Sequence, residues 1–368
     1  MNFRFIAPLR LALLIVAGCA APRATGDHGA SALAALAPGW TKIDGGAGTD
    51  CALNTPFAFY AHPGNPRRLM IYFQGGGACW NGENCDVEGH PTFDQRVDST
   101  DDPARMRGIL SLANADNPVR AYTIVFVPYC TADTFLGSRT VTYTSGADSK
   151  HPHRTFEIHH VGAINAASAM QWAYAHVPDP EIVFVTGSSA GAIPSPVYAA
   201  QAARHWRKAR VVQLGDAGGG YRAPEIPVLL SRSGTIATLR RDPAYRALDS
   251  LTIAHPALYV VSAREAPRAT FAEYNAAEDS VQIGFQTALG VKDVPLARTL
   301  AENLAEIRRG VPRLRTYTAP GYVHTILLRP QFYMLMVDGV RIRDWVADLL
   351  DGKTVGDVGN SNLPEGAR

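Results

Sequence analysis

The chain carries little charge. Charged residues make up 18% of its 368 positions, and the formal net charge is +2. No long basic or acidic run occurs. Nucleic acids are bound by clustered Lys and Arg, so nucleic acid is not expected as a partner, and the scattered charges read as solvated surface. A bilayer-spanning run is also missing. The N-terminal stretch "LALLIVAGC" falls short of the about 20 apolar residues that hydrocarbon requires. No internal repeat is present. The ligand pair C-x₂₋₄-C is absent too, because Cys79 and Cys85 are spaced more widely. A zinc site using these cysteines and His90 is therefore the weaker reading, and no metal is expected. What remains is a chain with 46% hydrophobic residues, enough for the large core of one α/β domain.

The N-terminus reads as a targeting segment. Arg4 and Arg10 precede a short apolar stretch, as in a signal peptide. "VAGC", ending at Cys19, resembles the bacterial lipobox, in which the cysteine becomes the first mature residue and carries lipid. The alternative is an ordinary signal cleaved near "CAA". The resulting division is a signal peptide at 1–18, a lipidated tether at 19–38, one catalytic domain at 39–352 and a loose tail at 353–368. Such a protein is exported, to the periplasm or cell surface, and membrane-anchored through Cys19. Setting Cys19 aside leaves four cysteines: Cys51, Cys79, Cys85 and Cys130. In an oxidising compartment they read as two disulfides, with three pairings open.

Short apolar runs alternate with helical stretches. "RLMIYF" (68–73), "YTIVFV" (122–127), "EIVFV" (181–185), "ARVVQL" (209–214), "ALYVVS" (257–262) and "RLRTYT" (313–318) read as strands. Several are continuously apolar, as expected for strands buried on both faces of a parallel sheet. Helices are expected over 160–177, with Ile164, Ala167, Met170 and Tyr174 on one stripe, over 297–310, with Leu300, Leu304 and Ile307 together, and over 341–352. The pattern predicts a three-layer α/β sandwich with a mostly parallel central sheet. In such sheets ligands bind beyond the carboxyl ends of the strands.

"GSSAG" (187–191) follows the strand "EIVFV" and precedes a helix-like stretch. G-x-S-x-G in that setting forces a sharp turn that exposes its central serine, here Ser189. The alternative is a small-residue turn between a strand and a helix. A serine nucleophile needs a base, and the base needs a carboxylate to orient it. Only His205, His255 and His324 follow Ser189. His205 lies far into the next helix, and His255 precedes the expected strand "ALYVVS", at the wrong end of the sheet. His324, which follows "RLRTYT", remains as the base. For the acid, topology offers Asp216 and Glu265, with Asp279 farther downstream. "YFQGGGACWNGENC" (72–85) follows the first strong strand, and its backbone N–H groups can be aimed at an oxyanion together with that of Ala190. Tyr72, Trp80, Phe135 and Tyr322 are candidates for an apolar pocket.

Together, "FQGGGACWNGENC", "VPYCTADTFLG", "GSSAGA", "LGDAG", "EDSVQ" and "GYVHTIL" resemble the pectin acetylesterase/Notum family of carboxylesterases. The resemblance runs from about Cys51 to His324. It implies an α/β-hydrolase fold, no cofactor, and a triad of Ser189, Asp279 and His324, with Asp279 chosen by the match of Asp279-Ser280-Val281-Gln282 to the family's D-x-x-Q motif. It further implies oxyanion donors at Gly76, Gly77 and Ala190, and disulfides Cys79–Cys85 and Cys51–Cys130. The chain departs from the family pattern, which often has Glu and a large aromatic in "EGGW" and Ser in "DSG", at Gln74, Gly77 and Ala217. The expected activity is a serine carboxylesterase acting on O-acyl esters, with acetyl groups on a polysaccharide such as pectin as the first substrate class. A lipid-type or synthetic polyester esterase is the alternative. An inactive, glycan-binding envelope lipoprotein is the rival from another class. The expected partners are therefore an acylated glycan or small ester and, through the anchor, a membrane; nothing bears on oligomeric state.

Overall fold

A computed structural model describes Leu33 and residues 36–364 apart from Thr252. The expected signal peptide, most of the expected tether and Cys19 lie outside the described residues. The central sheet has eight strands in the order β1-β2-β4-β3-β7-β8-β9-β10. In chain order these are β1 (Thr41–Asp44), β2 (Ala58–His62), β3 (Asn65–Phe73), β4 (Tyr122–Val127), β7 (Ile182–Ser188), β8 (Arg210–Asp216), β9 (Thr270–Ala276) and β10 (Arg315–Ala319). The strands β5 (Arg139–Thr144) and β6 (Thr155–His160) form a separate hairpin. From β4 to β10 all neighbours are parallel, while β1 and β2 pair antiparallel at one edge.

Alternation along the strands builds a core on each face. Leu69, Ile71 and Phe73 of β3 and Val183 and Val185 of β7 face one core. Met70, Tyr72, Ile182 and Phe184 face the other. The first core is covered by α1 (Gly162–His176), α2 (Ser195–His205), α5 (His255–Glu265) and α7 (Leu296–Gly310). The short helices α3 (Ile226–Arg232) and α4 (Thr235–Arg241) precede α5, and α6 (Ser280–Ala288) precedes α7. On the opposite face, α8 (Ile342–Asp351) packs Trp345, Val346 and Leu349. This is the three-layer architecture of an α/β-hydrolase fold.

Three sequence expectations are corrected. "ALYVVS" is part of the helix α5, and the strand of this region is β9, "TFAEYNA". A β-branched apolar run looks alike in a buried strand and a buried helix. Pro256 in the first turn and Arg264 in the last turn were the helix signals. In α1 the buried face is Ala166, Ala169, Met170 and Ala173, while Ile164 is 40% exposed, because the small side chains let the helix lie close to the sheet. The end of the chain is not loose as far as residue 364. Val358 extends the sheet beside β10, exchanging bonds with Thr316 and Thr318, and Leu363 is buried.

Two disulfides link Cys51 to Cys130 and Cys79 to Cys85. The first closes a separation of 79 residues, the second only 6. Loop-closure entropy scales with the logarithm of that length, giving about 4.5 kcal/mol for the long link and about 2 kcal/mol for the short one. Denaturant unfolding of a Cys51→Ala/Cys130→Ala variant is therefore expected to show the larger loss of stability. Equal losses for the two paired variants would contradict the entropic account. No helix among the described residues is long and apolar enough to cross a membrane.

Candidate active site

Strand order reverses between β3 and β7: from β3 the chain moves one way to β4, then returns to β7 on the other side. The crevice at the carboxyl ends of these two strands is where such sheets bind ligands. The glycine loop leaves β3 there, and Ser188-Ser189 ends β7.

Ser189 opens a 3₁₀ turn (Ser189–Gly191) with φ of 54°, a left-handed conformation unusual for a residue with a side chain. The turn leads into α2, whose first turn accommodates Pro194 and Pro196 because those positions need no intrahelical N–H. Ser188 and Ser189 point differently. The Ser188 hydroxyl donates to Asp216 Oδ2 at 2.6 Å and accepts from Tyr72, so it is tied to the sheet. Ser189 instead lines a pocket.

His324 lies in the loop after β10. Its Nδ1 is 2.7 Å from Asp279 Oδ2, and its Nε2 is buried without a protein partner. Asp279 caps α6 and is fully buried. Its Oδ1 accepts from the N–H groups of Val281 and Gln282, and its Oδ2 also accepts from Gln282 Nε2. The Gln282 carbonyl in turn accepts from the Gly220 N–H, so the D-x-x-Q pattern locks the carboxylate against the chain beyond β8.

The other acids considered have different tasks. Asp216 ends β8 and is fully buried. It accepts from the N–H groups of Ile326 and Leu327, two and three residues past His324. Burial raises its carboxyl to about 6 against the opposing effect of these bonds and of Ser188. Asp216 therefore ties the His324 loop to the strand end beside Ser189. Glu265 is the last residue of α5 and pairs with Arg204, away from the site. His205 stacks on Tyr174.

The glycine loop lies directly on the serine turn. A Cβ at Gly75 would come within 2.9 Å of Ser189 Cβ. Gly77 has φ of +81°, and a Cβ there would meet Thr92 O at 1.9 Å, so this backbone admits no side chain where the resemblance suggests one. The turn is held by bonds from Asp94 N–H to Gly76 C=O and from Ala78 N–H to Thr92 C=O, which use neither the Gly76 nor the Gly77 N–H. At the other departures, Gln74 donates through Nε2 to Asp101, where an acid would face a carboxylate, and Ala217 is buried with positive φ. Cys79–Cys85 clasps the far end of the loop. Donor atoms of Cys79, Cys85 and His160 lie within 4.8 Å of one another. Both sulfurs are consumed in the disulfide, and the His160 nitrogens meet Tyr143 and Thr131, so this oxidised trio offers no thiolate to a metal.

A pocket of about 750 Å³, open mouth included, runs from Ser189, Ala190 and Gly77 between Trp80, Leu136, Ile193, Leu229, Leu258 and Phe285. Of the four aromatics expected to line it, only Trp80 does. Tyr72 faces the opposite core, Phe135 packs on Phe73 and Tyr129, and Tyr322 is 70% exposed. His255, set aside on the sequence, also lines the pocket. The N-terminus of a helix returning to the next parallel strand lies at the ligand end of the sheet, so reading α5 as a strand misplaced it.

Comparison with known proteins agrees with this geometry. The chain is 33% identical over 92 residues to human palmitoleoyl-protein carboxylesterase NOTUM, covering 24% of this chain and 18% of that protein. The chain thus spans about a fifth of the length of the curated relative it matches. A family model described as pectinacetylesterase matches residues 41–226, just over half of the chain. With that match across both the glycine loop and the serine turn, the chain belongs to the pectinacetylesterase family.

Proposed function

We propose that this protein is a serine carboxylesterase in which Ser189, His324 and Asp279 form the triad. The observation that carries the reading is Ser189, in a left-handed turn at the switch point, together with an imidazole whose Nδ1 meets a buried carboxylate and whose Nε2 is unpaired. Ser189 Oγ attacks the ester carbonyl while its proton passes to His324 Nε2. The N–H groups of Gly76, Gly77 and Ala190 bind the resulting oxyanion, each donor contributing about 10²–10³ in rate. Collapse breaks the carbonyl–alkoxy bond, and the leaving alkoxide takes the proton. Water then repeats the attack on the acyl-enzyme and frees the acid.

Family membership supports short acyl groups, acetyl on a polysaccharide above all. The apolar pocket supports a second reading, a longer acyl chain of lipid type. The two disulfides support export, and a tether through Cys19 completes the picture at the membrane. Against an inactive glycan-binding protein stands the bonded Asp279–His324 pair.

A fluorophosphonate probe is expected to label wild-type protein at Ser189 and to leave Ser189→Ala unlabelled. Folded wild-type protein without a Ser189 adduct would sink the esterase reading. p-Nitrophenyl esters of increasing length, run beside acetylated pectin, xylan and chitin, separate the two substrate readings.

A further inference from the structure

The pocket beside Ser189 is mostly apolar, and one of its few polar side chains, His255, carries a buried nitrogen with no partner. The Thr134 hydroxyl donates to Asp133 C=O, and that of Thr235 is paired with Ser233. His255, at the start of α5, places Nε2 at 2.7 Å from Glu273 Oε1, with both side chains only 2% exposed. Asn275 donates to the other Glu273 oxygen, and the Tyr259 ring packs edge-on against the imidazole at 5.0 Å. Gln213 in turn holds the Tyr259 hydroxyl. The ring is thus fixed in orientation, yet its Nδ1 is buried with no hydrogen-bond partner. Buried polar atoms are nearly always paired, so the unpaired nitrogen of a residue that lines the pocket is available to a ligand group.

The chemistry narrows that group. With Glu273 accepting from Nε2–H, Nδ1 is a lone-pair acceptor on the neutral ring and an N–H donor on the imidazolium. A hydroxyl serves both forms. A plain hydrocarbon serves neither, and a carboxylate would meet the negative charge of Glu273. We propose that this pocket selects an acyl chain bearing a hydroxyl group, which His255 Nδ1 hydrogen-bonds while Glu273 positions the ring. The proposal rests on reading the pocket as the acyl site of the esterase.

Wild-type protein is tested with methyl hexanoate and methyl octanoate and with their analogues hydroxylated at the third carbon or at the chain end. One hydroxylated ester is expected to exceed its plain counterpart by about tenfold in kcat/KM, because a site built around a hydroxyl penalises the analogue lacking it. If none exceeds its counterpart, the proposal is overturned. In a His255→Phe/Glu273→Leu variant, which strands no charge, the ratio is expected to fall to about one. An unchanged ratio overturns the proposal. Should that variant not fold, the wild-type comparison decides alone. Fluorophosphonate labelling of Ser189 with no hydroxyl preference removes only this inference, whereas absent labelling removes the esterase reading itself.

Discussion

Asp279→Asn is expected to lower kcat by about four orders of magnitude and leave the fold intact. Asp279 has two duties carried by different oxygens. Oδ1 caps α6, and Oδ2 receives His324 Nδ1. Asparagine is as good an N-cap as aspartate, so the helix start survives. At the Oδ2 position, however, His324 and Gln282 both present donors, and an amide nitrogen there faces them. The imidazole then accepts at Nδ1 and carries its proton on Nε2, the atom that must take the proton of Ser189. Ester hydrolysis measured beside thermal unfolding separates these duties: kcat collapses by orders of magnitude, while the stranded Gln282 donor lowers Tm by only a few degrees and the protein stays folded. A variant retaining wild-type turnover would remove Asp279 from the triad.

Asp216→Asn is expected to behave differently, losing stability and activity together. The Asp216 carboxylate takes the hydroxyl of Ser188 and two backbone N–H groups from the loop that carries His324. An amide has one acceptor oxygen, so at least one buried donor is stranded, at a cost of about 1–3 kcal/mol. The loop and the strand end then drift apart. A displacement of about 1 Å at a reacting group costs about 100-fold in rate. The expected result is therefore a lower Tm and a kcat reduced by about 100-fold, with KM less affected. Wild-type Tm and turnover would refute the latch. Turnover abolished here but kept in Asp279→Asn would make Asp216 the triad acid.

Much of the scaffold was legible because burial on both faces leaves a plain signature. "YTIVFV" is β4 residue for residue, and Leu300, Leu304 and Ile307 are the buried stripe of α7. The same signature misled at "ALYVVS", where hydrophobicity reports burial and not backbone shape. The cost was functional as well as structural, since it hid His255 from view. β9 was overlooked because "TFAEYNA" mixes polar and apolar residues, and its polar members Glu273 and Asn275 are the ones that hold His255 behind the pocket wall and brace Gln282.

By itself the sequence marked the candidate strand ends: a serine in a turn pattern, a glycine run after β3, and one histidine beyond the last strand. It also determined the parity of the cysteines. Local patterns suffice for these, because a turn or a strand end depends on neighbours in the chain. Only the tertiary structure decided what surrounds the pocket, what holds Ser188 away from it, and which of the acids left open by strand topology meets His324. Asp216, Glu265 and Asp279 are alike as a list of acids. They differ because β8 delivers one carboxylate to a loop backbone, α5 carries another to its far end, and α6 starts where the third points at an imidazole. Likewise Ser188 is bound to Asp216 by the strand's alternation, while the left-handed turn one residue later turns Ser189 toward the pocket. Those outcomes depend on strand order and helix placement, which no short stretch of chain contains.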